Sequence, residues 1–118
     1  MKVLAPCPSS PNCVSTQTTD QSRQMAPYRY QRSLAGAQEA LKTLVSHLPR
    51  TTLVEEAEGY LHYEFTSFLL RFVDDVEFVF DEETKLIQFR SASRTGYSDL
   101  GVNRRRMEEI RTLVEGKL

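Results

Sequence analysis

Between residues 60 and 91 the chain repeatedly alternates apolar and polar side chains, and this alternation limits the fold more than any other feature of the sequence. The alternating runs cover residues 60–67, 76–80 and 85–91, and residues 51–57 are predicted to form a further strand before them. A period of two residues is typical of strands that bury one face. Because only a few residues, such as Glu58-Gly59, connect one run to the next, the sequence predicts antiparallel strands.

The segment between the second and third strands joins apolar residues to a pair of carboxylates. Phe68, Leu70 and Phe72 occupy alternate positions, so we expect them to extend the second strand. Asp74 and Asp75 follow them, and aspartate is typical of turns. The sequence therefore predicts that the two aspartates form the turn before the third strand.

A helix is predicted on each side of the strands. In the first helix, Ser33 is placed to cap the amino end and Pro49 to stop the carboxyl end. Its apolar residues recur at spacings of three and four: Leu34, Ala37, Leu41, Leu44, Val45 and Leu48. The second helix runs from residue 102 or 103 to 115, with an apolar stripe of Met107, Ile110, Leu113 and Val114. Both stripes need an apolar partner, and the sheet is the expected one.

Residues 1–32 carry four of the five prolines and no sustained apolar period. They are predicted to form an irregular arm packed on a domain of residues 33–118. With 118 residues and 40% apolar side chains, the chain has the size and composition of one globular domain. The expected fold class is α+β, with the arm, a helix, an antiparallel sheet of four to five strands and a C-terminal helix.

Charge is unevenly distributed along the chain although the net charge is only −1. Residues 53–83 hold ten carboxylates and one basic residue, Arg71, whereas residues 90–118 hold seven basic and four acidic residues. The basic end is expected to pack partly against the acidic middle, which disfavours nucleic-acid binding. Arginine outnumbers lysine eleven to four, which favours bidentate pairs with carboxylates or phosphates.

Cys7 and Cys13 are the two cysteines, and they enclose a short loop. A disulfide between them would suit an oxidising compartment, whereas in the cytosol the two thiols are more often reduced. Two cysteines supply half of a tetrahedral shell, and His47 and His62 lack ligand spacing, so neither a metal nor a cofactor is expected. The apolar stretch at the amino terminus is too short for a secretory signal, and no run is long enough to span a membrane, which favours the cytoplasm.

The connection formed by residues 90–106 is dense in hydroxyl and guanidinium groups. Its glycines would let the backbone approach an anion, and its three consecutive arginines oppose the helix dipole unless an anion compensates them. The candidate ligand-binding residues are Ser91, Ser93, Arg94, Asp99, Asn103 and Arg104. We hypothesise a non-enzymatic binding or interaction domain for a small anionic ligand or the acidic group of a protein partner. The alternative is that ion pairs, such as Arg104 with Glu108, make this corner purely structural.

A second hypothesis makes the chain an enzyme that uses His62 with Asp74 or Asp75. Strand alternation places His62 on the same face as Glu64, and a carboxylate beside an imidazole tunes its proton affinity. The same pattern is also typical of the polar side of an ordinary sheet. The serines of the polar connection have no base near them in sequence, so no serine nucleophile is assigned.

Three ordered blocks of sequence resemble the domain-of-unknown-function family 1499. They are CPSSPNCVST at residues 7–16, FVDDVEF at residues 72–78 and RSASRTGYSDLGVNR at residues 90–104. The resemblance implies a conserved fold found in bacterial and plastid proteins, some of which have membrane-spanning segments beside the domain. It therefore also implies envelope or thylakoid association. The family has no established activity and no assigned catalytic residues, so the resemblance implies none for this chain.

Overall fold

The computed structural model describes residues 3–8, 12–94 and 101–118, and in these residues two helices lie on one face of a six-stranded antiparallel sheet. The strands are β1 (Cys13–Ser15), β2 (Tyr28–Arg29), β3 (Thr51–Ala57), β4 (Tyr60–Thr66), β5 (Val73–Asp81) and β6 (Leu86–Ser93). The helices are α1 (Leu34–Ser46) and α2 (Val102–Val114). The α+β class is the one predicted. Neither helix is long and apolar enough to cross a membrane, and these ranges contain no other helix.

The four long strands form a meander because each is joined to the next by a short connection. The sheet order is β1-β6-β5-β4-β3, and β2 also pairs with β6. Between β3 and β4, Gly59 has a φ of 76°, a left-handed conformation that costs glycine little and most other residues more. At the start of α1, the Ser33 side chain accepts a hydrogen bond from the Gly36 N–H at 3.1 Å, as the predicted cap requires.

The arm supplies two strands that were not predicted. β1 pairs with β6 in the register Cys13↔Ala92, and β2 pairs Tyr28 with Ile87. With three and two residues, these strands are too short to display an alternating pattern. The sheet therefore has six strands in the described part of the chain, not four to five.

Residues 68–72 form a turn and do not extend β4. The Ser67 N–H donates to the Phe72 carbonyl oxygen at 2.9 Å, and the Phe72 N–H donates to Ser67 Oγ at 2.9 Å. This closure of the backbone ends β4 at Thr66 despite the alternating apolar residues that follow. Asp74 and Asp75 lie inside β5, so the predicted turn at the two aspartates is wrong.

The face of the sheet under the helices carries the main core. The core residues of the strands are Leu61, Tyr63 and Phe65 on β4, Val76, Phe78 and Phe80 on β5, and Ile87 and Phe89 on β6. The core residues of the helices are Ala37, Leu41 and Val45 on α1 and Met107, Ile110 and Val114 on α2. Apolar residues at every second strand position therefore pack against the apolar stripes of the helices. The period of two residues in the strands and the spacing of three and four residues in the helices predict this contact.

The opposite face of the sheet, which we call the open face, carries no helix among the described residues. The amino-terminal segment, residues 3–8, lies against it: Leu4 packs with Tyr60 and Val79 in a small buried cluster. A disulfide joins Cys7 to Cys13, with Cα atoms 5.7 Å apart, and so ties this segment to β1. Neither sulfur is therefore a free thiol in this structure.

Candidate functional site

The first turn of α2 carries Asn103, which is the fully buried centre of a polar network. Its Oδ1 accepts the Ser91 hydroxyl at 2.5 Å and Arg106 Nη1 at 2.9 Å. Its Nδ2 donates to the Asn12 carbonyl oxygen and to Ser93 Oγ, both at 3.2 Å. These contacts use both donor and both acceptor positions of the amide, so the Asn103 side chain is satisfied from within the fold.

Arg106 links this network to a buried carboxylate on β5. Its Nη2 lies 2.7 Å from Asp74 Oδ2, and the Asp74 side chain is only 8% exposed. Its guanidinium also lies over the Phe65 ring, 4.8 Å from the ring centroid. Because a buried carboxylate without a partner is costly, Arg106 supplies the charge that Asp74 requires at this position.

Two other arginines of α2 contact the backbone of the arm. Arg104 donates to the carbonyl oxygens of Ser22 at 3.0 Å and Gln24 at 3.3 Å. Arg111 donates to the carbonyl oxygen of Ala26 at 2.5 Å. An arginine presents five N–H donors, so one side chain can hold two carbonyl groups of an irregular segment, which helps to explain the excess of arginine over lysine.

Arg94 follows β6 and lies on the open face, where it belongs to a second polar group. Its Nε donates to Asp75 Oδ2 at 2.7 Å, and its Nη2 donates to Asp75 Oδ1 at 2.9 Å and to Glu64 Oε2 at 2.5 Å. His62 Nε2 lies 2.8 Å from Asp75 Oδ1. We call His62, Glu64, Asp75 and Arg94 the open-face cluster. It forms because β4 and β5 pair Glu64 with Asp75.

The candidate residues from the polar connection therefore occupy three different places. Three of them (Ser91, Ser93 and Asn103) share the buried network, Arg94 lies on the open face, and Arg104 contacts the arm. Asp99 lies outside the described residues. Of the two aspartates considered with His62, Asp75 contacts the imidazole, whereas Asp74 faces the helices on the other side of the sheet.

The open-face cluster leads to a prediction about acid stability. Burial raises the pKa of Asp75, but hydrogen bonds from Arg94 and His62 outweigh burial and hold the pKa below its ordinary value of 3.8. The ionised carboxylate therefore stabilises the fold above pH 3.8, and this stabilisation is lost as pH falls through the lower, folded-state pKa. In Arg94→Gln, where the folded-state pKa of Asp75 is no longer lowered by Arg94, we expect a smaller loss of stability as the pH falls below 3.8, measured by chemical unfolding across an acid titration.

Lys42→Gln is the matched control for this titration, because it breaks another partly exposed ion pair, the 3.0 Å pair of Lys42 with Glu56. The acid limb of its stability profile should match that of the wild type. Identical acid limbs for Arg94→Gln and the wild type would contradict the role given to Arg94.

A groove of about 540 Å³ opens between α2 and the end of β4. Its apolar lining comes from three separate segments: Leu48, Pro49, Phe65, Phe68, Val102, Ile110 and Leu113. The charged residues beside this lining are Arg50, Arg105, Arg106 and Glu109. The sequence did not predict this groove, because its residues are scattered between positions 48 and 113 and each also fits a core or surface role.

Arg50 lies at the end of the groove next to β4, where its contacts are with a backbone carbonyl and an aromatic ring. Its Nε donates to the Thr66 carbonyl oxygen at 3.2 Å, and its guanidinium lies 5.5 Å from the centroid of the Phe68 ring. Within the described ranges, no carboxylate forms an ion pair with Arg50. Arg106, in contrast, is neutralised by Asp74.

Counting only the described residues, no group of three or more His, Cys, Asp or Glu side chains is placed to hold a metal ion.

Comparison with known proteins places these features in a family. No curated protein and no solved structure matches the chain. The family model described as "Protein of unknown function (DUF1499)" matches residues 3–114, a range that contains the Asn103 network, the open-face cluster and the groove. The chain therefore belongs to the DUF1499 family.

Proposed function

We propose that this protein is a non-enzymatic binding domain, and that the groove between α2 and the end of β4 binds an anionic group carried on an apolar body. The observation that carries this proposal is the combination of an apolar lining with Arg50, which has no carboxylate partner in the described residues. Apolar clefts with a few well-placed polar groups are typical of ligand sites, and about 540 Å³ is an ordinary volume for one.

The charge of Arg50 favours an anion over a cation at its end of the groove. No carboxylate of the described residues forms an ion pair with Arg50, whereas Arg106 is already paired with Asp74, and Glu109 adds one negative charge to the lining. The planar guanidinium of Arg50 matches a carboxylate or phosphate in two parallel hydrogen bonds. A small amphipathic acid and an acidic side chain beside apolar residues in a protein partner share this chemistry.

The buried network supports a structural role for the residues that first suggested an anion pocket. The Asn103 side chain already makes every hydrogen bond available to it, and Ser91 is fully buried beside it. Arg94 is held by two carboxylates on the open face. These contacts favour the groove as the place where the domain meets its ligand.

The test uses dodecanoate below its micelle-forming concentration as the probe. Because a ligand that binds the folded state raises its stability, dodecanoate should raise the Tm of the wild type. Acetate, which lacks the apolar body, and dodecyl maltoside, which lacks the charge, should raise it less. Arg50→Gln and Leu113→Gln should each weaken dodecanoate binding roughly tenfold, as expected when one good contact is lost.

Arg71→Gln is the matched control for the binding test, since Arg71 has a positive φ like Arg50 but does not line the groove. It should bind dodecanoate as the wild type does. A synthetic peptide with one glutamate among leucines is then added as a competitor. Displacement of dodecanoate by the peptide would indicate a protein partner as the source of the anionic group, and no displacement would indicate a small molecule. Equal binding by wild type and Arg50→Gln would refute the groove as the anion site.

An enzyme remains the second candidate, favoured by the 2.8 Å contact of His62 with Asp75. A carboxylate that orients an imidazole is a common arrangement in general base catalysis. Against it, Arg94 binds both oxygens of the same carboxylate, which favours a static cluster. If wild-type protein hydrolysed 4-nitrophenyl acetate or 4-nitrophenyl phosphate and folded His62→Gln did not, the enzyme would replace our proposal.

A further inference from the structure

The turn between β4 and β5 exposes four large apolar side chains that are interrupted only by Arg71. We call residues 68–72 the apolar loop. The exposed fractions are 70% for Phe68, 83% for Leu69, 68% for Leu70 and 46% for Phe72. Isolated apolar residues on a surface are ordinary, but a contiguous set of this size marks a site of interaction with another molecule or a membrane.

The backbone holds these side chains outward in a closed turn. The two hydrogen bonds between Ser67 and Phe72 join the ends of the loop. Leu69 and Leu70, at its tip, do not belong to the lining of the groove. The loop therefore presents its apolar residues at an exposed tip. Such a tip can enter an apolar layer and does not need a pocket on the partner.

The charges around the loop differ from those at the other end of the sheet. Arg50 and Arg71 lie beside the apolar side chains, and neither forms an ion pair with a carboxylate of the described residues. The opposite turns carry three carboxylates, Glu58, Glu82 and Glu83, and one basic residue, Lys85. The nine residues of β5 join the two ends, about 30 Å apart at roughly 3.3 Å per residue. An anionic surface would attract the end of the sheet that carries Arg50 and Arg71 and repel the end that carries the three glutamates.

We propose that the apolar loop inserts into the interfacial layer of an anionic lipid bilayer, with Arg50 and Arg71 contacting lipid phosphates. Apolar tips flanked by basic residues bind bilayers by burying side chains while the charged heads stay at the polar surface. A bilayer accepts a projecting tip at any position, whereas a protein partner must supply a matching pocket. This inference goes beyond the anion-binding groove and depends on Leu69 and Leu70, which the groove does not use.

The first experiment exploits the absence of tryptophan from the chain. Leu70→Trp places a single fluorescent reporter in the loop, and its emission should shift to the blue with vesicles of phosphatidylcholine and phosphatidylglycerol. Brominated lipids in the same vesicles should quench it. Val3→Trp is the matched control, because Val3 is 84% exposed but lies outside the loop. No shift in Leu70→Trp, or an equal shift in Val3→Trp, would overturn the proposal.

The second experiment measures binding of the full chain to the same vesicles by co-sedimentation. The double variant Leu69→Ser, Leu70→Ser should bind roughly a hundredfold more weakly, since two leucines no longer enter the apolar layer. Arg71→Gln should bind more weakly only at low salt, where charge attraction is unscreened. Val54→Ser changes another exposed apolar residue, on β3, and should bind as the wild type does.

Other outcomes of the vesicle experiments also test whether the apolar loop inserts into the bilayer. Wild-type binding by the double serine variant would refute insertion. Self-association in the absence of lipid, abolished by the same two changes, would assign the loop to a second copy of the chain and would also refute it. The double serine variant retains the whole groove lining, so its dodecanoate binding separates a failure of the loop from a failure of the groove.

Discussion

Asn103→Leu should lower the free energy of unfolding by about 3 kcal/mol, because the change removes four hydrogen bonds of a buried polar network. The hydroxyl of Ser91, the carbonyl oxygen of Asn12 and the guanidinium of Arg106 all lose a hydrogen bond to the Asn103 side chain. Leucine has the same number and branching of side-chain heavy atoms as asparagine, so the loss reports the missing hydrogen bonds and not a large cavity. Urea unfolding followed by circular dichroism at neutral pH measures it.

Val102→Ala is the control for Asn103→Leu, since Val102 is the neighbouring helical residue and is 38% exposed. We expect it to change the free energy of unfolding by no more than about 0.5 kcal/mol. A loss below about 1 kcal/mol in Asn103→Leu would show that the network contributes little to stability. That result would support the hypothesis that this corner binds an anion.

Arg106→Met should cost about 3 to 5 kcal/mol, the usual range when one partner of a buried ion pair is removed. The side chain of Asp74 is then left buried and charged without its partner at 2.7 Å. Methionine retains much of the aliphatic bulk, so packing over Phe65 changes less than the charge does. Unfolding by urea again gives the free energy.

A double-mutant cycle separates the ion pair from its surroundings. Asp74→Asn removes the charge that Arg106 neutralises, so Arg106→Met combined with Asp74→Asn should cost less than the two single changes added together, by about 1 to 3 kcal/mol. Arg71→Met removes an equal charge from the exposed loop and should cost little. Strict additivity in the cycle would mean that the two residues do not stabilise each other.

The regular elements were predictable because their patterns are long. α1 and α2 each have 13 residues, enough for three turns of apolar spacing, and β3 to β6 have seven to nine residues each. The arm strands were missed because two or three residues carry no period. The alternation at residues 68–72 gave a wrong prediction for a different reason: the pattern is present, but two hydrogen bonds between Ser67 and Phe72 close a turn there.

The candidate site was predictable only in part, because the position of a side chain in the sheet depends on register. Ser93 and Arg94 are adjacent in sequence, yet Ser93 joins the buried network and Arg94 the open-face cluster. The sequence grouped Ser91, Ser93 and Asn103 with Arg94, Asp99 and Arg104 in one corner, whereas the structure brings only the first three together among the described residues. Spacing along the chain gave no sign of the groove, since the sequence marks residues as apolar without saying which of them the fold leaves uncovered.

The fastening of the arm by α2 has a consequence for the order in which the chain folds. The arm strands β1 and β2 cover the edge of β6, and they are held by Arg104 and Arg111 and by the Gln31 N–H, which donates to the Leu118 carbonyl oxygen at 3.1 Å. These contacts join residues about 80 positions apart, which makes their closure slow compared with that of the local hairpins. During synthesis, the arm is therefore made well before the α2 residues that hold it, and until α2 follows, β6 presents a bare edge of the kind that pairs with other chains.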